Sequence, residues 1–174
     1  MKTLKMISKM TLVAVMFLAL SCSSDSDGGG GGGSASLGTV TAKIAGSGFT
    51  SMAMATSAQR VTSGNMTTIS LVGADSSGKS ISLIMNGVSQ AGTYDIGGDN
   101  SISIVGSYTA LNMQDPANSV VYVAPTEGGA VKGSVTISEL TDAKLVGTFH
   151  FTGTNQDNAI DTKEITNGAF NLEF

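Results

Sequence analysis

From residue 39 to the end of the chain, apolar and polar residues alternate in short runs separated by turn clusters. TVTAKIAG (39–46) alternates, and Gly46-Ser47-Gly48 turns it into FTSMAMAT (49–56). In MTTISLVG (66–73), Ile69 and Leu71 share a face. Asp75-Ser76-Ser77-Gly78 leads into KSISLIMNG (79–87), with Ile81, Leu83 and Met85 on one side. SISIVGSYTAL (101–111) and SVVYVAP (119–125) follow. Successive side chains of a strand point to opposite faces, so a period of two in runs this short predicts half-buried antiparallel strands. Met52 and Met54 share one parity. Methionine pairs can bind copper(I), but core filling is the expected role here.

The last third is the most regular. VKGSVTISEL (131–140) reads as a strand, and Thr141-Asp142-Ala143 turns it into KLVGTFHFTG (144–153), where Leu145, Phe149 and Phe151 share a face. The loop TNQDNAIDT (154–162) leads to KEITNGAFNLEF (163–174). Ile165 has odd parity, whereas Phe170, Leu172 and Phe174 are even. A face switch is therefore needed, and Asn167-Gly168 is the natural site for a bulge. No helix is expected in this region. The pattern predicts an all-β fold, an antiparallel β-sandwich or closed β-barrel of about nine to eleven short strands.

The N-terminus differs in kind. Lys2, Lys5 and Lys9 precede an apolar run from Met10 to Leu20, broken only by Thr11. That run is about half of the ~20 residues needed to cross a bilayer, so residues 1–21 read as a secretory signal peptide. LALSC (18–22) resembles the bacterial lipoprotein signal, the lipobox. The resemblance implies that Cys22 is acylated and becomes the new N-terminus. Two or three acyl chains on one residue give lasting attachment. Cys22 is the only cysteine, which excludes an intrachain disulfide. Residues 22–36 then form a Ser/Asp/Gly tether that includes six consecutive glycines, and residues 37–174 form one β domain. Ser23-Ser24-Asp25-Ser26-Asp27 resembles the surface-export signal of Bacteroidota lipoproteins, with a solvated linker as the plain alternative. The expected location is the outer membrane, at the cell surface or otherwise facing the periplasm.

The chain carries 9 basic and 13 acidic side chains, a net −4. Loss of the three signal lysines leaves six basic against 13 acidic, or −7. That argues against nucleic acid and against anionic headgroups as partners. The expected partners are the membrane, through the lipid anchor, and a glycan or protein ligand. No cofactor is implied: the glycine run lacks GxxxxGK[ST].

VTAKIAGSGFT (40–50), Gly92-Thr93-Tyr94, VTISEL…KLVGTFHFTGT and ITNGAFNLEF together resemble a Bacteroidota lipoprotein family whose all-β domain has no assigned function. The resemblance spans most of residues 39–174. It implies a small β domain on a lipid tether and carries over no catalytic residue.

Candidate chemistry is sparse. His150, the only histidine, has the opposite parity to Phe149 and Phe151 and is expected at the surface. Asp95, Asp99 and Asn100, and Asn155, Asp157, Asn158 and Asp161, cluster oxygen ligands of the kind calcium takes. Neither loop has EF-hand spacing, and Asp and Asn also serve turns. Two carboxylates could support glycoside hydrolysis, but with 13 acids some pair is inevitable. Tyr94, Tyr108 and Tyr122 are the only tyrosines and there is no tryptophan, so a sugar-stacking platform is not indicated. The apolar C-terminal strand ending in Phe174 resembles the last strand of outer-membrane barrels, but the short Gly/Thr-rich strands favour a soluble core strand. The expected function is a non-catalytic binding or adhesion module. A structural envelope protein and a carboxylate-dependent glycan hydrolase are the alternatives.

Overall fold

The computed structural model describes residues 33–98, 102–126 and 129–174. Eleven strands form: β1 (Thr39–Ile44), β2 (Ser47–Thr50), β3 (Thr56–Ser63), β4 (Met66–Ala74), β5 (Lys79–Asn86), β6 (Gly92–Ile96), β7 (Ser103–Ala110), β8 (Val120–Ala124), β9 (Gly133–Leu140), β10 (Lys144–Asn155) and β11 (Thr162–Glu173). Two single 3-10 turns, Ala53–Ala55 and Pro116–Asn118, are the only helical elements among the described residues. No helix there is long and apolar enough to cross a membrane.

All strand pairs are antiparallel, in the order β2-β1-β11-β10-β8-β7-β5-β4-β3. β10 is the fork. Leu145–Phe151 pair with β9, which carries β6 on its other side, whereas Thr154 and Asn155 pair with β8. The whole curls into a half-barrel, between the two architectures the alternation allowed. The inward parity of each strand fills one core: Ile69 and Leu71; Ile81, Leu83 and Met85; Ile104 and Tyr108; Val135 and Ile137; Leu145, Phe149 and Phe151. Phe149 stacks on Phe151 and Phe170, with centroids 6.3 and 6.2 Å apart. Two inward glycines make room for these rings. A Cβ on Gly147 would lie 2.6 Å from the Phe170 ring, and one on Gly168 would lie 2.6 Å from that of Phe149.

The expected face switch is present. Phe149 pairs with Gly168 and Phe151 with Ile165, so Thr166 and Asn167 oppose His150 alone. Asn167 takes φ +50°. The extra residue restores Phe170 and Leu172 to the core face, as a bulge does.

The segment after β2 departs from the expected strand. Ser51 and Met52 turn out of the sheet: Ser51 N–H donates to Val40 O (2.9 Å) and Met52 N–H to Ala74 O (2.8 Å). A 3-10 turn follows, the alternation breaks, and Met52 and Met54 are exposed rather than in the core. Ser51 itself is buried, its Oγ accepting from Val40 N–H at 2.8 Å and Thr56 Oγ1 at 2.7 Å. Here β1 crosses the ends of the β3–β5 strands. Gly38 lines a cleft with Thr56–Ala58, Val40 packs on Gly73, and Ile44 lines a cleft with Lys79.

The two outer faces differ in charge. The outward positions of β1, β6, β9, β10 and β11 include Lys43, Asp95, Glu139, Lys144, Glu164 and Glu173. The outward positions of β3, β4, β5, β7 and β8 carry no charge at all. They are Ser, Thr, Gln and Asn interspersed with Met66 and Ala74 and with Val61, Val72, Ile84, Val105, Val121 and Val123.

Candidate functional site

Polar groups converge on a cleft where β1, β5, β7 and β11 meet. The β1–β2 hairpin turns on Ala45 (φ +46°) and Gly46 (φ +83°), the left-handed pair a two-residue hairpin requires. This brings Ile44, Ser47 and Gly48 to one wall. Opposite, Asp75 organises the β4–β5 turn. Its Oδ1 accepts from Ser77 N–H and Oγ, both at 2.8 Å, and from Lys79 N–H at 3.0 Å. Burial alone would push the Asp75 carboxyl up, but these bonds and the Lys79 charge hold it below its ordinary value. Lys79 enters β5 on the core parity, in line with Ile81. Lys163 does the same at the start of β11, in line with Ile165.

The cleft has a volume of about 250 Å³ and is lined by Ile44, Ala45, Ser47, Gly48, Lys79, Tyr108 and Lys163. Tyr108 stacks on Tyr122 at 5.9 Å, and Lys163 Nζ lies 5.1 Å from the Tyr122 ring centroid. Tyr122 OH donates to Asp161 Oδ2 at 2.9 Å, and Asn155 Nδ2 donates to the same oxygen at 2.9 Å. The bonds from Asn155 and Tyr122 hold the Asp161 carboxyl below its ordinary value. Burial, and then the Asp161 bond, push the Tyr122 phenol up. Among the described residues the ion pairs are Arg60–Asp142 and Lys144–Glu139, so neither cleft lysine is in one. The charge of Lys79 also acts on Asp75 and that of Lys163 on Asp161, and two lysines beside an aromatic wall suit a small anion with an apolar body. The volume is below the ~300–1,000 Å³ of drug-sized sites, which fits a small ligand or the end of a longer one. A second cleft, of about 150 Å³, lies between Leu37, Gly38, Thr56–Ala58, Leu172 and Glu173. Two carboxylates line neither cleft.

Residues 39–172, from β1 into the last strand, match a family described as a domain of unknown function, DUF6252. The chain belongs to the DUF6252 family. No curated protein and no solved structure matches it.

In this DUF6252 domain the residues singled out from sequence are scattered. Cys22, Asp99 and Asn100 lie outside the described residues. His150 is exposed on the outer face of β10. Asp95 is not in a loop: it alternates within β6 and pairs opposite Ser134. The second Asp/Asn loop is organised as successive turns. Asn155 Oδ1 accepts from Asp157 N–H at 3.0 Å and Asn158 Oδ1 from Ile160 N–H at 3.3 Å, while Asp161 is shared between Asn155 and Tyr122. Among the described residues no three His, Cys, Asp or Glu side chains form a group that could hold a metal ion. Lys79 and Lys163 were not singled out, yet the signal is there: each is a cation on the core parity at the start of a strand.

Proposed function

We propose that this DUF6252 chain is a lipid-anchored, non-catalytic binding module of the bacterial outer membrane, displayed at the cell surface. The lipobox-like LALSC and the Ser/Asp/Gly tether support the anchor. The observation that carries the binding reading is the cleft that Lys79 and Lys163, outside any ion pair among the described residues, line together with Tyr108. Its chemistry selects a carboxylated ligand, such as a uronic sugar or a peptide C-terminus. Charge recognition by two lysines gives affinity that falls with salt.

Titration calorimetry of residues 23–174 against uronic acids and short peptides tests this. Saturable binding that is lost in Lys79→Ala/Lys163→Ala, with folding intact, is expected. No heat with either class, or full binding by the double variant, defeats it.

The uncharged outer face of β3–β5, β7 and β8 favours a second reading, a structural envelope component that packs against a neighbour. Recovery of a stoichiometric complex from native membranes, broken by Ser82→Lys, would select it over the cleft.

A further inference from the structure

We propose that the anion taken by the lysine cleft is the C-terminal carboxylate of an extended peptide, which Tyr108 receives with its hydroxyl and which adds as a strand to the free edge of β2. The step rests on the binding reading above. Tyr108 lines the cleft and is only 4% exposed, yet its hydroxyl bonds to no described residue. The other two tyrosines are satisfied: Tyr94 OH donates to Gln90 O at 2.8 Å and Tyr122 OH to Asp161 Oδ2 at 2.9 Å. A polar group left without a partner in a buried side chain calls for an explanation, and a ligand acceptor supplies one. Burial, and then the Asp75 charge, push the Tyr108 phenol up, so at neutral pH it is a donor. With Lys79 and Lys163 lining the same cleft, a carboxylate can accept the phenol's proton bond and meet both cations.

The β1–β2 hairpin supplies the second observation. β2 ends the strand order, so one side of it is unpaired. Its closing pair, Ile44 and Ser47, flanks a two-residue turn and exchanges both backbone bonds. The ladder alternates, so Gly48 turns its N–H and C=O to the unpaired side, where neither has a partner among the described residues. Gly48 lines the cleft and is exposed, and a Cβ on it would meet nothing within 4 Å. An extended peptide satisfies both backbone groups at once and leaves its terminal carboxylate for Tyr108 and the lysines. A uronic sugar gains most from an open aromatic face, but the Tyr108 ring is buried and stacked on Tyr122 at 5.9 Å. The cleft, about 250 Å³ with Ile44 in its wall, suits a last residue with a small apolar side chain.

The test is calorimetry and amide NMR of residues 23–174 with acetylated tripeptides ending in alanine, valine or leucine, with their C-terminal amides, and with glucuronic acid. The expected result is that the free acids bind, the amides bind at least about tenfold more weakly, and the Gly48 amide resonance shifts and exchanges its hydrogen more slowly. Tyr108→Phe keeps the ring against Tyr122 and should weaken the acids about ten- to a hundredfold. Its melting temperature should not fall, and the salt dependence of its binding should match the wild type, since both lysines remain. Equal binding of acids and amides, a Gly48 amide that does not respond, or unchanged affinity in Tyr108→Phe overturns the inference. Glucuronic acid bound in preference to every peptide also overturns it, while leaving the cleft reading intact. No binding by either class removes the cleft reading and this inference together.

Discussion

Ser51 shows how one side chain can hold a corner. Its Oγ satisfies the buried Val40 N–H where β1 crosses the second set of strands. Ser51→Ala leaves that donor without its partner, and a loss of about 1–3 kcal/mol is expected in urea unfolding. Gly73→Ala strikes the same corner by crowding, since its Cβ would meet Ser51 Cβ at 2.8 Å and Val40 Cβ at 2.9 Å. A cost of about 1–3 kcal/mol is expected there too. Asp161 and Asp75 make stability depend on acidity. Both carboxyls are depressed in the fold from a reference of 3.8, so their contributions are present above that value and lost as the pH falls through the folded values below it. Melting curves from pH 6 to pH 2 should show this loss, and Asp161→Asn should flatten part of it. The turn bonds of Asn155, Asn158 and Asp161 predict that millimolar calcium leaves the melting temperature unchanged; a rise would restore the ion-site reading. At this scale the sequence was only partly legible. The parity of Phe149 and Phe151 placed His150 correctly. Parity misplaced Met52 and Met54, because hydrogen bonds to Val40 and Ala74 broke the alternation on which it relied.

Among the elements, β10 and β11 were the most readable, since long alternating runs leave few registers that bury the apolar set. The parity conflict between Ile165 and Phe170 points to a bulge at Asn167-Gly168, and Thr166 and Asn167 form it. That position makes a clean test. Asn167 sits at φ +50°, where a β-branched side chain is strained, so Asn167→Val should cost about 1–3 kcal/mol while Asn167→Gly stays within a few tenths. Gly168→Ala, driven into the Phe149 ring, should be worse than Asn167→Gly in the same unfolding assay. β3 and β6 were harder to see. TSAQRVTS is an edge strand with only Ala58 fully buried, and GTYDI has five residues with only Ile96 fully buried. Neither has enough apolar positions to display a period. The strand starts that build the cleft were legible as strands but not as a site, because Lys79 and Lys163 converge only once β1 and β11 are brought beside β5.

For the molecule as a whole, alternation specifies that strands form and which side of each is buried, but not how the sheet closes. Closure is set by long-range events: the fork at β10, the crossing of β1 over the strand ends, and the reach of Arg60 to Asp142 at 3.3 Å. That pair is exposed and contributes little by itself. The proposed anchor belongs to this scale as well. Mass spectrometry of the mature protein from its native host should find the chain starting at residue 22 with acyl mass on Cys22, and Cys22→Ala should release the domain from membranes. The two sides of the half-barrel also differ in how they meet their surroundings. Across five neighbouring strands no outward side chain titrates, so acidification or a change in ionic strength leaves that wall's field and hydration as they were. While the opposite wall and the lysine cleft respond to such changes, this one stays constant, and two copies standing side by side can bring it together without charge repulsion.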